Sequence, residues 1–217
     1  MRKSLILYDL DGTLVDTKED IASSANHMLG RMGLPPLTVE QVVPFVGKGI
    51  SQLIAACLGT DDPRLMEEGL RIYRAHYAEH MLDKSRLYPG ALDLLEHFKS
   101  RVQAVITNKP NPYSTEILKG LGVARYFIEI VGGDSPYPKK PEPDSLLALM
   151  KKAGAGPDET LFIGDSVVDI QTGRRAGVLT AVVTHGFERK EVLLGESPAL
   201  AVESLKALLE EAKGRGW

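Results

Sequence analysis

The sequence predicts an α/β fold, a Rossmann-like parallel sheet with helices on both faces, plus an all-helical insertion after the first strand. Three apolar runs, at residues 5–7, 102–106 and 161–163, each end abruptly in polar residues. Runs that are apolar on both faces and separated by helical patterns are typical of a parallel sheet covered by helices. Ligands of such sheets bind beyond the carboxyl ends of the strands. The three strand ends therefore predict one shared site.

The first run leads into Asp9-Leu10-Asp11-Gly12. Residues i and i+2 of an extended strand share a face and lie about 6.6 Å apart, so the two carboxylates can address one substrate. Asp-Gly between alternating apolar residues is also a strong hairpin signal, and this segment alone leaves that alternative open. The two later runs favour the parallel sheet, because a hairpin does not predict them.

Residues 17–82 show helical patterns uninterrupted by any strand pattern. Thr17, followed by Asp20, is a candidate N-cap, and Thr38 with Gln41 is a second one. Asp62 before Pro63 predicts a third helix start. We therefore predict an inserted all-helical domain over residues 15–83 and a core over 1–14 and 84–217, with hinges near 14–16 and 83–88.

The rest of the core alternates helices and strands. The predicted helices span residues 91–99, 111–121, 144–153, 167–176 and 204–213, and the further strands span 102–106, 128–131, 161–163 and 178–183. Residues 132–143 are rich in glycine and proline, which predicts a loop.

Composition excludes several classes of protein. The net charge of the 217 residues is −3, with acids and bases interspersed, so no concentrated basic patch predicts a nucleic-acid partner. No apolar stretch of membrane-spanning length and no signal-peptide pattern occurs, which predicts a cytoplasmic protein with no membrane partner. The single cysteine, Cys57, excludes an internal disulfide, and its apolar surroundings predict a core thiol.

Four short motifs follow one another along the chain. They are Asp9-x-Asp11-Gly12-Thr13, Thr107-Asn108, Lys140-Pro141 and Gly164-Asp165-Ser166-x-x-Asp169. In this order they resemble the motifs of the haloacid dehalogenase superfamily over essentially the whole chain. Residues 46–49, 88–90, 107–110 and 132–134 most resemble the phosphoglycolate phosphatases of that superfamily.

The resemblance implies a Mg²⁺-dependent phosphatase that works through an aspartyl-phosphate, with residues 15–83 as its helical cap domain and residues 1–14 and 84–217 as its catalytic core. Asp9 would be the nucleophile and a metal ligand, and Asp11 would be the general acid and base, with its backbone carbonyl as a further ligand. Asp165 would complete a set of hard oxygen ligands that suits Mg²⁺.

Other motif residues would surround the phosphate. Thr107 and the backbone N–H of Asn108 can donate to phosphoryl oxygens, and Lys140 can offset the developing charge, with Lys139 as its rival. Three more side chains would support these groups: Thr13 through a hydrogen bond near the site, and Ser166 and Asp169 beside Asp165.

The insertion offers one candidate for reading the rest of the substrate. Lys48 lies between Gly47 and Gly49, which would let it reach a carboxylate, although it could equally be a solvated loop lysine. The partner is then a small phosphorylated metabolite, with hydrolysis of 2-phosphoglycolate to glycolate and phosphate as the leading reaction. Alternatives are a pyrophosphatase, a sugar-phosphate phosphatase or mutase, or a non-catalytic binding or regulatory module. The chain would be a monomer or homodimer.

Overall fold

A parallel sheet forms the centre of the computed structural model, which describes residues 2–217. The strands are Leu5–Tyr8 (β1), Val15–Asp16 (β2), Arg86–Leu87 (β3), Val102–Ile106 (β4), Glu129–Val131 (β5), Thr160–Gly164 (β6), Leu179–Val183 (β7) and Leu200–Val202 (β8). Six of them form one wholly parallel sheet in the order β5-β4-β1-β6-β7-β8. The other two, β2 and β3, form a separate antiparallel ribbon.

Helices connect these strands and fill the long insertion. They are Lys18–Arg31 (α1), Val39–Val42 (α2), Ile50–Leu58 (α3), Pro63–His80 (α4), Ala91–His97 (α5), Tyr113–Gly120 (α6), Asp144–Ala153 (α7), Val167–Ala176 (α8), Lys190–Gly195 (α9) and Leu205–Gly214 (α10). Short 3₁₀ turns lie at Val43–Phe45, Ala124–Tyr126 and Pro157–Glu159. The predicted fold class is confirmed.

The strand order places a crevice beside β1. From β1 the chain proceeds to β4 and β5 on one side, whereas from β6 it proceeds to β7 and β8 on the other. Neighbouring strands whose connections leave in opposite directions open a gap at their carboxyl ends, and ligands of α/β sheets bind there. The residues that follow β1 and β6 are Asp9 and Asp165.

Both faces of the sheet are buried, as the continuous apolar runs predict. Ile6 and Tyr8 of β1 belong to a large apolar cluster, and Leu5 and Leu7 belong to a second cluster on the opposite face. All four side chains are fully buried. Burial on both faces fixes the register of β1, because a slip by one residue would exchange the two sets of side chains.

Helices α1 to α4 form the insertion between β2 and β3, and α1 packs against α4. The predicted side-chain caps are confirmed at two of the three helix starts. Thr38 and Gln41 form a reciprocal capping box, and the carboxylate of Asp62 accepts from the backbone N–H groups of Arg64 and Leu65. Cys57 is buried there, and burial raises the pKa of its thiol to about 11, as expected of a core thiol.

The capping role predicted for Thr17 is wrong, although α1 does begin after it. The Thr17 side chain makes no cap hydrogen bond, and its hydroxyl donates to Oδ1 of Asp11 at 2.6 Å. Asp20 is likewise engaged elsewhere: its buried carboxylate accepts from Lys84 N, Ser85 N and Ser85 Oγ at 2.7–3.1 Å. The pair fastens α1 to the core and to the returning chain.

Three short elements escaped the sequence prediction. The β2–β3 ribbon pairs Val15 with Leu87 and Asp16 with Arg86, at the two places where hinges were expected. Helix α9 and the edge strand β8 are also short, and only Val202 of β8 is buried. Two- and three-residue strands carry too few positions for a periodic pattern to appear.

No helix within residues 2–217 combines the length and the apolar character that crossing a lipid bilayer requires.

Asp20→Ala tests how the insertion is fastened. We expect a loss of about 3 kcal/mol in the free energy of unfolding, because the donors of Lys84 and Ser85 lose a buried acceptor. Chemical denaturation would measure it. Asp62→Ala is the matched control, since Asp62 also caps two backbone N–H groups but is exposed, and about 1 kcal/mol is expected there. Equal losses in the two variants would contradict this role of Asp20.

Candidate active site

Three buried carboxylates meet at the crevice between β1 and β6. Asp9 follows β1, Asp165 follows β6, and Asp169 lies in the first turn of α8, and one oxygen of each lies within 4.8 Å of the others. Burial raises the pKa of Asp9 to about 7, an effect that Lys140 opposes and Asp169 reinforces. So much negative charge in a small volume requires cations around it.

Two neutral donors hold the Asp165 carboxylate. Thr13 Oγ1 donates to Oδ1 at 2.7 Å, and the backbone N–H of Phe187 donates to Oδ2 at 2.8 Å. No lysine or arginine of the described chain forms an ion pair with it. Burial, followed by the charges of Asp9 and Asp169, therefore raises the pKa of Asp165 well above its usual value.

Glycines make room for this carboxylate on two sides. Gly12 has φ +82°, and a Cβ placed there would lie 2.2 Å from Asp165 Oδ2. A Cβ at Gly186 would lie 2.3 Å from the same oxygen. The preceding residue, His185, packs its ring on Tyr88 with centroids 4.1 Å apart. Both backbone segments thus approach Asp165 as closely as glycine alone permits.

The donor set fits a magnesium ion. Asp9 and Asp165 offer hard carboxylate oxygens, and no histidine or thiol belongs to the cluster. Asp165 has neutral donors but no cationic partner among residues 2–217, and a divalent cation bound there would favour its charged form. Asp169 is less available, because its two oxygens are occupied by Lys140 and by Ser166.

Lys140 is the lysine that lies against the acids. Its Nζ lies 2.8 Å from Asp9 Oδ1 and 2.6 Å from Asp169 Oδ1, and its side chain is 3% exposed. Burial alone would lower the pKa of Lys140, but the carboxylates of Asp169 and Asp9 outweigh it and raise the value. Lys139 is exposed and extends toward Gly49 instead.

Asp169 uses its two carboxylate oxygens for different partners. Its Oδ2 accepts from Ser166 Oγ at 2.6 Å and from the N–H groups of Asp165 and Ser166, forming the capping box of α8. Its Oδ1 binds Lys140. The acid therefore ties the helix start that carries Asp165 to the lysine that faces Asp9.

Thr107 and Asn108 follow β4, next to β1. The Asn108 side chain links three segments: its Nδ2 donates to Gly47 O at 2.9 Å and to Lys140 O at 3.0 Å, and its Oδ1 accepts from Lys140 N at 2.9 Å. Thr107 Oγ1 accepts from Lys109 N. Asn108 thereby connects the insertion to the lysine loop.

Asp11 has a cationic partner that the sequence analysis did not assign. Lys109 Nζ lies 2.9 Å from Oδ1 and 3.2 Å from Oδ2 of Asp11, and the side chains are 7% and 10% exposed. Lys109 belongs to the Thr107–Pro110 stretch that carries the resemblance, yet nothing in a sequence says which acid a lysine after a strand will meet.

A cavity of about 50 Å³ lies between the insertion and the strand ends. Asp9, Asp11, Thr107, Asn108, Lys109 and Lys140 line its polar side, and the insertion contributes apolar and aromatic walls and the backbone of Gly47 and Gly49. The Lys48 side chain is exposed and does not line this cavity. The structure therefore brings together every predicted acid and Lys140, but not Lys48.

The sequence is similar to those of known proteins. A model of the haloacid dehalogenase-like hydrolase family matches residues 6–183. The chain is 37% identical over 214 residues to a phosphoglycolate phosphatase of Pseudomonas putida, covering 94% of this chain and 78% of that one. It is 35% identical over 215 residues to a phosphoglycolate phosphatase of Vibrio parahaemolyticus, covering 95% and 94% of the two chains.

A solved structure agrees over the whole length. The crystal structure of a predicted phosphoglycolate phosphatase from Haemophilus somnus superposes with a TM-score of 0.93 at 29% sequence identity. The match covers 98% of this chain and 99% of that one, so it includes both the sheet and the helical insertion.

Gly12→Ala tests the close approach at Asp165. We expect a larger fall in melting temperature than for Gly154→Ala, because Gly154 also has a positive φ, +65°, but has open space around its Cβ position. The control isolates the backbone strain, about 1–2 kcal/mol, from the collision with the carboxylate. Equal destabilisation, measured by thermal unfolding, would show that the Asp165 side chain yields without cost.

Proposed function

This chain belongs to the haloacid dehalogenase-like hydrolase family, and from that premise we propose that it is a Mg²⁺-dependent phosphatase that forms an aspartyl-phosphate on Asp9. The observation that carries the proposal is the contact of Asp9 with Lys140 beside Asp165, at the end of neighbouring parallel strands. A buried nucleophile next to a fixed ammonium suits attack on an anionic phosphate ester.

In the first half-reaction one Asp9 oxygen attacks phosphorus and the bond from phosphorus to the leaving oxygen breaks. Asp11 donates its proton to that oxygen, which therefore leaves as a neutral hydroxyl group. Lys140, held by Asp9 and Asp169, offsets negative charge on the phosphoryl oxygens. Thr107 and the backbone N–H of Asn108 would donate to the same oxygens from the neighbouring strand end.

In the second half-reaction water attacks phosphorus and the bond to Asp9 breaks. Asp11 takes the proton from that water, which returns both residues to their starting states. Asp9, Asp165 and the backbone carbonyl of Asp11 would hold Mg²⁺, and Thr13, Ser166 and Asp169 would orient these groups through the hydrogen bonds described. When bound there, Mg²⁺ would supply positive charge that stabilises the phosphoryl oxygens.

The cavity favours a small substrate. Its volume of about 50 Å³ corresponds to a few water molecules, since one water requires about 10–15 Å³ on this measure. We propose 2-phosphoglycolate, hydrolysed to glycolate and phosphate. The names of the Pseudomonas putida and Vibrio parahaemolyticus relatives support this substrate.

Phosphate release across a panel of substrates tests the proposal. Wild-type protein with Mg²⁺ should act on 2-phosphoglycolate in preference to pyrophosphate, sugar phosphates and nucleotides, and EDTA should abolish the release. Preference for another compound of the panel would support the phosphatase activity and contradict 2-phosphoglycolate as the substrate. Absence of release from every ester would contradict the proposal itself.

Asp9→Asn should reduce phosphate release by about 10⁴-fold or more, because an amide cannot attack phosphorus. The fold should persist, because the substitution removes one of three neighbouring buried carboxylates and Lys140 keeps Asp169 as its partner. Asp11→Asn is the matched comparison: we expect a loss of about 10²–10⁴-fold on alkyl phosphates and a smaller loss on p-nitrophenyl phosphate, whose leaving group needs no proton. Turnover by Asp9→Asn at the wild-type rate would refute the nucleophile assignment.

Mg²⁺ should stabilise the folded protein independently of turnover. At a hundredfold excess over its dissociation constant, the expected gain is about 2.7 kcal/mol in the free energy of unfolding. Asp165→Asn should lose that gain, whereas Asp61→Asn, which removes an exposed charge, should keep it. Thermal unfolding with and without Mg²⁺ provides the comparison. Equal stabilisation of Asp165→Asn would remove Asp165 from the ligand set.

A further inference from the structure

The walls of the cavity differ sharply in charge. Among residues 2–217, those that the insertion contributes to the lining are apolar, aromatic or glycine, and none is charged. The two lining cations, Lys109 and Lys140, both come from the core. A charged partner for any anionic group in the part of the substrate beyond the phosphate must therefore come from the core side of the cavity.

Lys140 is committed to the reaction centre, because both Asp9 and Asp169 hold its ammonium. Lys109 has one carboxylate partner, Asp11, and its side chain is 7% exposed. Its Nζ also lies 4.8 Å from the centre of the Tyr77 ring, which helps to keep the ammonium at the cavity wall. Lys109 is thus the cation with capacity for a second acceptor.

Tyr77 supplies an independent sign of a polar ligand. Its side chain is 2% exposed and lines the cavity, yet its hydroxyl has no hydrogen-bond partner among residues 2–217. Burial raises the pKa of Tyr77, so the phenol keeps its proton and can donate. A buried hydroxyl without a partner is costly, and a ligand acceptor would satisfy it.

We infer that Lys109 is a specificity-determining residue that binds a carboxylate in the leaving part of the substrate. On binding, its ammonium leaves the carboxylate of Asp11 and pairs with the carboxylate of the substrate, to which Tyr77 also donates. The exchange replaces one carboxylate by another, so the buried ammonium is paired before and after binding. It also frees Asp11 from the lysine; as the ion pair opens, Asp11 takes up a proton from solvent, which it then donates to the leaving oxygen. This inference rests on the proposed phosphatase function and assigns the charged part of its selectivity to Lys109 of the core, with Tyr77 of the insertion in support.

The test compares two esters that differ at one group. 2-Phosphoglycolate carries the carboxylate, and 2-hydroxyethyl phosphate has a hydroxymethyl group in its place. In the wild type, kcat/KM should favour 2-phosphoglycolate. Lys109→Met should lower that preference by about 30-fold, because truncating one partner of a buried charge pair costs about 2 kcal/mol or more. Lys109→Arg should retain part of it, and Tyr77→Phe should lower it by less.

Control variants separate the possible explanations. Lys119→Met removes an exposed lysine that pairs with Glu116 and does not line the cavity, so it should leave the preference unchanged. Lys48→Met tests the rival reader, and a loss of preference there with retention in Lys109→Met would overturn the inference. If Lys109→Met does not fold, Lys109→Gln replaces it, because its amide can still donate to Asp11.

The outcomes distinguish this inference from the function on which it rests. Phosphate release by the wild type with no preference for the carboxylate, or an equal loss on both esters in Lys109→Met, would overturn the inference and leave the phosphatase intact. Absence of release from either ester and from the wider panel would overturn both.

Discussion

The placement of buried acids around one lysine governs the rest of this structure. Asp9, Asp165 and Asp169 converge where β1 and β6 end, and Lys140 binds two of the three. Carboxylates so close together raise one another's proton affinity unless cations balance them. The glycines against Asp165, the capping box of α8 and the loop that carries Lys140 all serve to hold this charge in place.

The core and the insertion contribute different kinds of residue to the cavity. The core contributes the lining acids and lysines, and the insertion contributes apolar and aromatic walls. Exclusion of water strengthens every interaction between charges inside the cavity. Asn108 joins the parts, since one amide contacts both Gly47 and Lys140. The apolar character of the insertion is therefore a functional property of the site as well as a packing requirement.

The sequence predicted what local pattern and strand-end position determine. Residues 160–164 and 167–176 combine periodicity with clear boundaries, and a parallel sheet brings Asp9 and Asp165 to one edge. Contacts between segments that are distant in the chain could not be predicted from the sequence. Thr17 has the sequence context of an N-cap, but in the structure its hydroxyl donates to Asp11. The glycines that flank Lys48 in the sequence do not determine the direction of its side chain, which is exposed. The pairing of Lys109 with Asp11 depends likewise on three-dimensional placement.

The β2–β3 ribbon has a consequence for how such a protein can change over evolution. The chain leaves the core at Val15 and returns at Leu87, and these two residues are paired neighbours. An insertion whose ends are already adjacent can be lengthened, shortened or replaced with little disturbance of the surrounding fold. The helical part is in this sense an exchangeable module, and new modules could bring new substrates to an unaltered set of reacting groups.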